Sequence, residues 1–210
     1  VCDETTRSDS YAKFVVEPFM RGFGTTIGNS LRRVLLSSLE GAAVTSIRIE
    51  NVLHEFSTIE GVYEDVAEIV LNVKQLRIRI QGDRPTTLRI DVKKKGPVTG
   101  ADVLCDADVE VVNKDLVLCT LTKATHFVCE MAAERGRGYR TAEENEKAIQ
   151  EVGRIPVDSI FSPILRVRYR AEDTRVGQST DFDRLILELW TDGTLAPELA
   201  LVESAKILRK

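Results

Sequence analysis

Between residues 21 and 41, RGFGTTIGNSLRRVLLSSLEG, the apolar residues Ile27, Leu31, Val34, Leu35 and Leu39 fall at i, i+4, i+7, i+8 and i+12. That spacing gathers all five on one face of a helix, predicted to end at Gly41, a residue that tolerates the left-handed backbone of a helix stop. A strand-like run precedes it at 12–17 (AKFVVE), and a half-buried alternation follows at 43–50 (AVTSIRIE). Val62, Val66, Ile69, Val70 and Val73 then recur at helical spacing. Glu64, Asp65 and Glu68 stand toward the start of this second helix, where the dipole favours negative charge.

From about residue 76 to 134 the period drops to two. LRIRIQ (76–81) and TLRIDVK (87–93) flank Gly82, Asp83 and Pro85, the composition of a hairpin turn. VEVVN, LVLCTL and HFVCEMAAE continue a β-rich block. Arg135 to Gly153, RGRGY and then the polar TAEENEKAIQEVG, reads as a long surface loop with one helical turn. Strand character returns in ILRVRY (164–169) and LILELW (185–190). A last helix is predicted to open at Pro197, with Leu201, Ala205 and Leu208 on one face and Val202 alongside. Ala196 offers that helix no side-chain cap, which forgoes about 1 kcal/mol.

Composition narrows the classes of chemistry. The 210 residues are 43% hydrophobic and 30% charged, ordinary for a globular chain, and no apolar run approaches the roughly 20 residues of a membrane span. The segment VCDETTRSDS lacks the basic-then-apolar pattern of a secretory signal, so a cytoplasmic location is expected. A net charge of −4 argues against a general grip on nucleic acid. Cys2, Cys105, Cys119 and Cys129 form no CxxC pair and stand far from His54 and His126, so no metal is expected; the last three cysteines fall in strand-like runs as packed thiols.

Three stretches carry candidate chemistry. Gly22, Gly24 and Gly28 before a helix, with Glu50 closing the next strand, suggest a nucleotide-binding enzyme as the alternative reading. The glycine spacing is not GxGxxG, however, and strands and helices do not alternate afterwards. Arg135, Arg137 and Arg140 around Tyr139 suit either bases and phosphates or a protein partner, and the net acidic chain favours the protein. Glu143, Glu144 and Glu146 lack the apolar framing of tuned acid/base pairs, and His54 beside Glu55 reads as a structural or interface residue. No nucleophile with a base in reach is legible.

RGFGTTIGNSLRRVLLSS, LHEFSTIEGVYEDVAEIVLNVK (53–74), GPVTGADV (96–103), RGRGY (135–139), IPVDSIFSPI (155–164) and TRVGQSTDFDRLILELWTDGT (174–194), followed by a closing helix, resemble the amino-terminal domain of the bacterial RNA polymerase alpha subunit family, in the family's order. The resemblance spans roughly residues 11 to 210. It implies an α+β fold: a discontinuous dimerisation domain of a sheet plus two helices (1–51 and 173–210), with an inserted β-rich domain (52–172). It implies a homodimer through Leu31, Val34, Leu35, Leu39, Leu201, Ala205 and Leu208. The beta and beta-prime subunits would be held by Arg33, Leu36, His54, Glu55, Gly61, Glu64, Asp65, Arg135, Arg137 and Tyr139. Glu143, Glu144 and Glu146 would receive a basic transcription activator. The implied role is non-catalytic assembly within a nucleotidyltransferase, with no catalytic residue, cofactor or metal in this chain and with magnesium and zinc in the partner subunits. In the family a separate carboxy-terminal domain contacts DNA, so none of these residues is expected to bind nucleic acid or membrane.

Overall fold

The computed structural model describes residue 2 and residues 4–82, 84–149 and 151–209. In chain order its elements are β1 (Tyr11–Met20), α1 (Phe23–Ser37), β2 (Glu40–Ile49), α2 (Val66–Val73), β3 (Ile78–Ile80), β4 (Thr86–Thr99), β5 (Val103–Leu104), β6 (Val109–Val111), β7 (Val117–Arg137), β8 (Tyr139–Arg140), α3 (Ala142–Glu146), β9 (Ile155–Pro156), β10 (Ser159–Ile160), β11 (Ile164–Val176), β12 (Ser179–Thr191) and α4 (Pro197–Arg209). They condense into two compact units, Val1–Glu40 with Ser162–Lys210, and Gly41–Phe161. The insert therefore begins at Gly41 rather than 52 and ends at Phe161 rather than 172. The reason is strand pairing: β2 joins β3, β7 and β9 in the larger sheet, whereas β11 pairs with β12 along its length.

The smaller unit is an antiparallel sheet in the order β1-β12-β11. Helix α1 lies against β11 and β12 and touches α4. Its core gathers Phe14, Leu31, Leu35, Leu39, Val167, Leu185, Leu187 and Ala200. Helix α1 is shorter than its apolar pattern suggests. It ends at Ser37, and Gly41 lies inside β2, because Leu39 reaches the core from the connecting backbone.

In the larger unit the strand order β5-β4-β7-β2-β3-β6 separates β3 from β4, so the two runs around Gly82 and Pro85 form no hairpin; Asp83 lies outside the described residues. Each strand finds a longer-range mate: β4 runs beside β7 from Thr86↔Ala133 to Thr99↔Val117, while β3 pairs with β6. LVLCTL and HFVCEMAAE are one strand, β7, with a register shift opposite Lys94 and Gly96. Around the shift β7 meets the 57–65 segment, where Thr122 N–H donates to the Gly61 carbonyl at 2.8 Å and Tyr63 N–H donates to the Thr120 carbonyl at 2.9 Å.

Cys119 and Cys129 are buried in this sheet. Burial pushes both thiols up to about 12, with Glu64 adding to the effect at Cys119. A thiol reagent at about pH 8 should therefore label exposed Cys105 in the native chain and reach Cys119 and Cys129 only after denaturation. Native labelling of either buried cysteine would contradict this packing.

Candidate interaction surfaces

The glycine-rich entry to α1 binds the chain's own carboxylate. Asp183, buried on β12, accepts the Gly22 N–H at 2.8 Å and the Gly24 N–H at 3.1 Å. Gly22, at φ +85°, supplies the left-handed turn before the helix. Gly24 and Gly28 are close-approach positions. A Cβ on Gly24 would stand 3.0 Å from the Asp183 Cβ, and one on Gly28 would stand 2.5 Å from Tyr169 Cδ2 and 2.8 Å from Leu185 Cδ1. The positive end of the helix is thus occupied, and Glu50 belongs to the other unit. This corrects the nucleotide-binding reading of Gly22, Gly24, Gly28 and Glu50: these glycines seat a helix on a sheet.

Helix α1 divides its side chains by face. Leu31, Leu35 and Leu39 are spent on the unit's own core, with Leu35 0% exposed. Val34 and Leu201 are half-buried, whereas Ala205 and Leu208 are exposed. Of the seven residues expected at a dimer interface, those four keep surface to offer. Exposed Val202, Leu199 and Ile207 extend the apolar side of α4, a stretch the seven-residue set left out. On α1, Arg32, Arg33 and Leu36 are exposed together.

The other expected contact residues lie in the larger unit. His54 Nδ1 stands 3.1 Å from Ser57 Oγ at the surface. A cavity of about 380 Å³ is lined by Leu53, His54, Glu55 and Phe56 on one side, by Glu143 and Glu146 of α3 on another, and by Arg154. It brings together two sets of residues that the resemblance assigns to different partners. Leu53 and Phe56 are 75% and 84% exposed beside it. Glu64 and Asp65 have internal duties: Glu64 accepts from Thr120 N–H at 2.6 Å and from its hydroxyl at 2.9 Å, and Asp65 caps α2 through Glu68 N–H at 2.7 Å. Gly61 is held at φ +84° against the Thr125 side chain, where no Cβ fits.

Among its described residues the 135–153 stretch holds the expected helical turn, α3, but the end of β7 and the short strand β8 replace the first part of the expected loop. Arg135 and Arg137 are exposed at the end of β7, Gly136 passes over the Phe161 ring, and Tyr139–Arg140 pairs with Ser159–Ile160. Tyr139 is exposed, with Lys74 Nζ 5.7 Å from its ring centre. Arg140 turns inward, bonding Glu134 and lying 5.1 Å over Phe161, so it does not stand with Arg135 and Arg137 as a third outward cation. Helix α3 opens with a capping box: Thr141 Oγ1 accepts the Glu144 N–H at 3.3 Å, and Glu144 Oε2 accepts the Thr141 N–H at 3.3 Å. Thr-x-x-Glu was legible in the sequence; it gives Glu144 a local capping duty while its side chain, like those of Glu143 and Glu146, stays exposed.

Asp158, inside the IPVDSIFSPI motif, and Asn145 were not marked for any role by the sequence, yet they hold this region together. Asp158 bonds Lys74 Nζ and Ala142 N–H, both at 2.8 Å, and these partners, with Lys74 first, hold its carboxyl below the usual range. Buried Asn145 donates to the Val157 carbonyl at 2.7 Å and to Ser159 Oγ at 2.9 Å. Among the described residues, no group of three or more His, Cys, Asp or Glu side chains could hold a metal ion, and no helix is long and apolar enough to cross a membrane.

Fold and surface together define a class: an α+β chain of two antiparallel units, its carboxylates engaged in caps and ladders and its large apolar side chains partly left outside. The chain belongs to the RNA polymerase Rpb3/RpoA insert domain family, which matches residues 47–162. It is 56% identical to the DNA-directed RNA polymerase subunit alpha of Rhodopirellula baltica, over 99% of this chain and 63% of that relative. It is 54% identical to the subunit of the same name from Desulfitobacterium hafniense, over 99% of this chain and 66% of the relative, and 54% identical to that of Moorella thermoacetica, over 95% and 64%. The chain thus spans 63% to 66% of the length of these curated relatives.

Proposed function

We propose that the chain is a non-catalytic assembly subunit of a bacterial-type RNA polymerase in the cytoplasm, a homodimer on which the beta and beta-prime subunits gather for DNA-templated transcription. What supports this most is likeness sustained over 99% of the chain to proteins named as that subunit. The smaller unit serves as the dimerisation module, pairing the exposed apolar side of α4 and the Val34 edge of α1 with a second copy by two-fold symmetry. Arg33 and Leu36, exposed on α1, and His54 and Glu55 at the larger unit's cavity serve the large subunits. Glu143 and Glu146, lining that same cavity beside exposed Phe56, suit a basic, partly apolar segment such as an activator's contact loop.

Light scattering on the purified chain, alone and with a bacterial beta subunit, tests this reading. The chain should run at twice its single-chain mass and capture beta. Leu208→Asp, a charge on a side chain 44% exposed, should give a folded monomer. Leu35 is unsuitable for that test, because a charge at a fully buried position would damage the core instead. Arg33→Ala should leave the dimer intact and weaken beta binding by about 2 to 5 kcal/mol, the usual cost of truncating one partner of a buried charge pair. A monomeric wild-type chain that ignores beta would overturn the proposal.

A further inference from the structure

Strand β11 is the outer strand of the smaller sheet. Strand β12 covers one of its edges, and among the described residues no strand lies on the other. Its Val167 joins the core, and its Tyr169 and Ala171 lie beneath α1, so one face of the strand is spent inward. The opposite face carries Arg166, Arg168 and Arg170, all exposed, at every second residue and therefore roughly 6.6 Å apart.

The register shows what surrounds them. Arg166 lies opposite Trp190, Arg168 opposite Glu188 and Arg170 opposite Ile186, while Lys13 of β1 flanks Glu188 from the other side. Each arginine has a neighbour of its own. The Arg166 guanidinium lies 4.9 Å over the Trp190 ring, Arg168 Nε is 3.8 Å from Glu188, and Arg170 Nε is 3.1 Å from Glu172. A guanidinium has five N–H donors, and the Arg168 and Arg170 side chains remain 60% and 54% exposed, so most of their bonding capacity is unspent.

We propose that the uncovered edge of β11 receives an acidic, extended segment of another polypeptide as an added strand, its carboxylates at alternate residues opposite Arg166, Arg168 and Arg170. The edge supplies main-chain hydrogen bonds, and period two on both strands brings each carboxylate opposite a guanidinium. A second copy of β11 is a poorer occupant, because an antiparallel pair centred on Arg168 sets Arg168 against itself and Arg166 against Arg170, and shifted registers pair only some of the arginines with Glu172. Single-stranded nucleic acid is disfavoured as well. Base stacking needs open aromatic faces, and Trp190 is flanked by Arg166 and by Tyr11, whose ring centre is 5.0 Å away at a 44° tilt. The inference goes beyond the assembly role and does not depend on it.

The test uses the whole chain with a short synthetic peptide in which glutamate alternates with threonine, a lysine–threonine control and a single-stranded oligonucleotide. The acidic peptide should bind, should slow amide exchange along 164–176, and should dissociate as salt is raised to about 1 M, where charges are screened within a few ångströms. Combined Arg166→Gln, Arg168→Gln and Arg170→Gln changes, all at exposed positions, should weaken binding roughly tenfold while leaving the circular dichroism spectrum unchanged. The proposal fails if the acidic peptide does not bind, if the triple variant binds it equally well, if the lysine peptide binds as tightly, or if the oligonucleotide is preferred without amide protection in β11.

Discussion

Replacing Gly28 with alanine lifts α1 off its sheet and lowers stability by roughly 1 to 3 kcal/mol, the range for overpacking a well-filled contact. On an exposed helix the same change would stabilise by about 1 kcal/mol, because glycine is the poorer helix former. Here sterics outweigh propensity. The added methyl would sit 2.5 Å from Tyr169 Cδ2 and 2.8 Å from Leu185 Cδ1, both on side chains rooted in the strands beneath. A Tyr ring edge cannot swing aside as the end of a lysine can, so either the ring leaves its rotamer or the helix rises. Thermal and urea unfolding measure the loss, each kcal/mol being worth about 2 to 4 °C in a chain of this size. An unchanged midpoint would mean that α1 does not lie this close to β11 and β12.

Asp183→Ala should cost about 2 to 4 kcal/mol, and Asp183→Asn distinctly less. The carboxylate is buried and accepts the Gly22 and Gly24 N–H groups, two of the donors a helix start leaves without intrahelical partners. Alanine strips both of their acceptor and opens a void, so the loss combines a missing cap with unsatisfied buried donors. Asparagine keeps one acceptor oxygen but loses the charge that complements the helix dipole. The order wild type, Asn, Ala in denaturant midpoint is the expected result; Ala level with wild type would remove the capping account.

Both predictions concern a stretch whose glycines are open to opposite interpretations. Gly22, Gly24 and Gly28 before a helix describe a phosphate cradle and a tightly seated helix equally well, since both need backbone without a Cβ. What separates the two is Asp183, some 160 residues away in sequence, reaching the helix start. The leucines pose a similar question. The spacing of Leu31, Leu35 and Leu39 says that they share a face, but it cannot say whether that face belongs to the chain's own core or to a partner's.

The sequence by itself determined the elements whose signal is local. Period 3.6 located α1, α2 and α4, although Val62, counted into α2, bridges Leu121 instead, and Pro197 marked the first residue of α4, because helical hydrogen bonds join residues four apart and need no distant partner. Period two located at least part of β1, β2, β3, β4, β6, β7, β11 and β12 for a like reason, since the pleat alternates side chains whatever strand lies alongside, whereas the two-residue strands β5, β8, β9 and β10 are too short to show a period. Only the tertiary structure decided which strands meet. It parted β3 from β4 despite turn-like residues between them, joined two predicted strands into β7, and moved the insert's limits to Gly41 and Phe161. Pairing and close packing depend on complementarity between segments far apart in the chain, and no local pattern of polar and apolar residues encodes the shape of the surface it will meet.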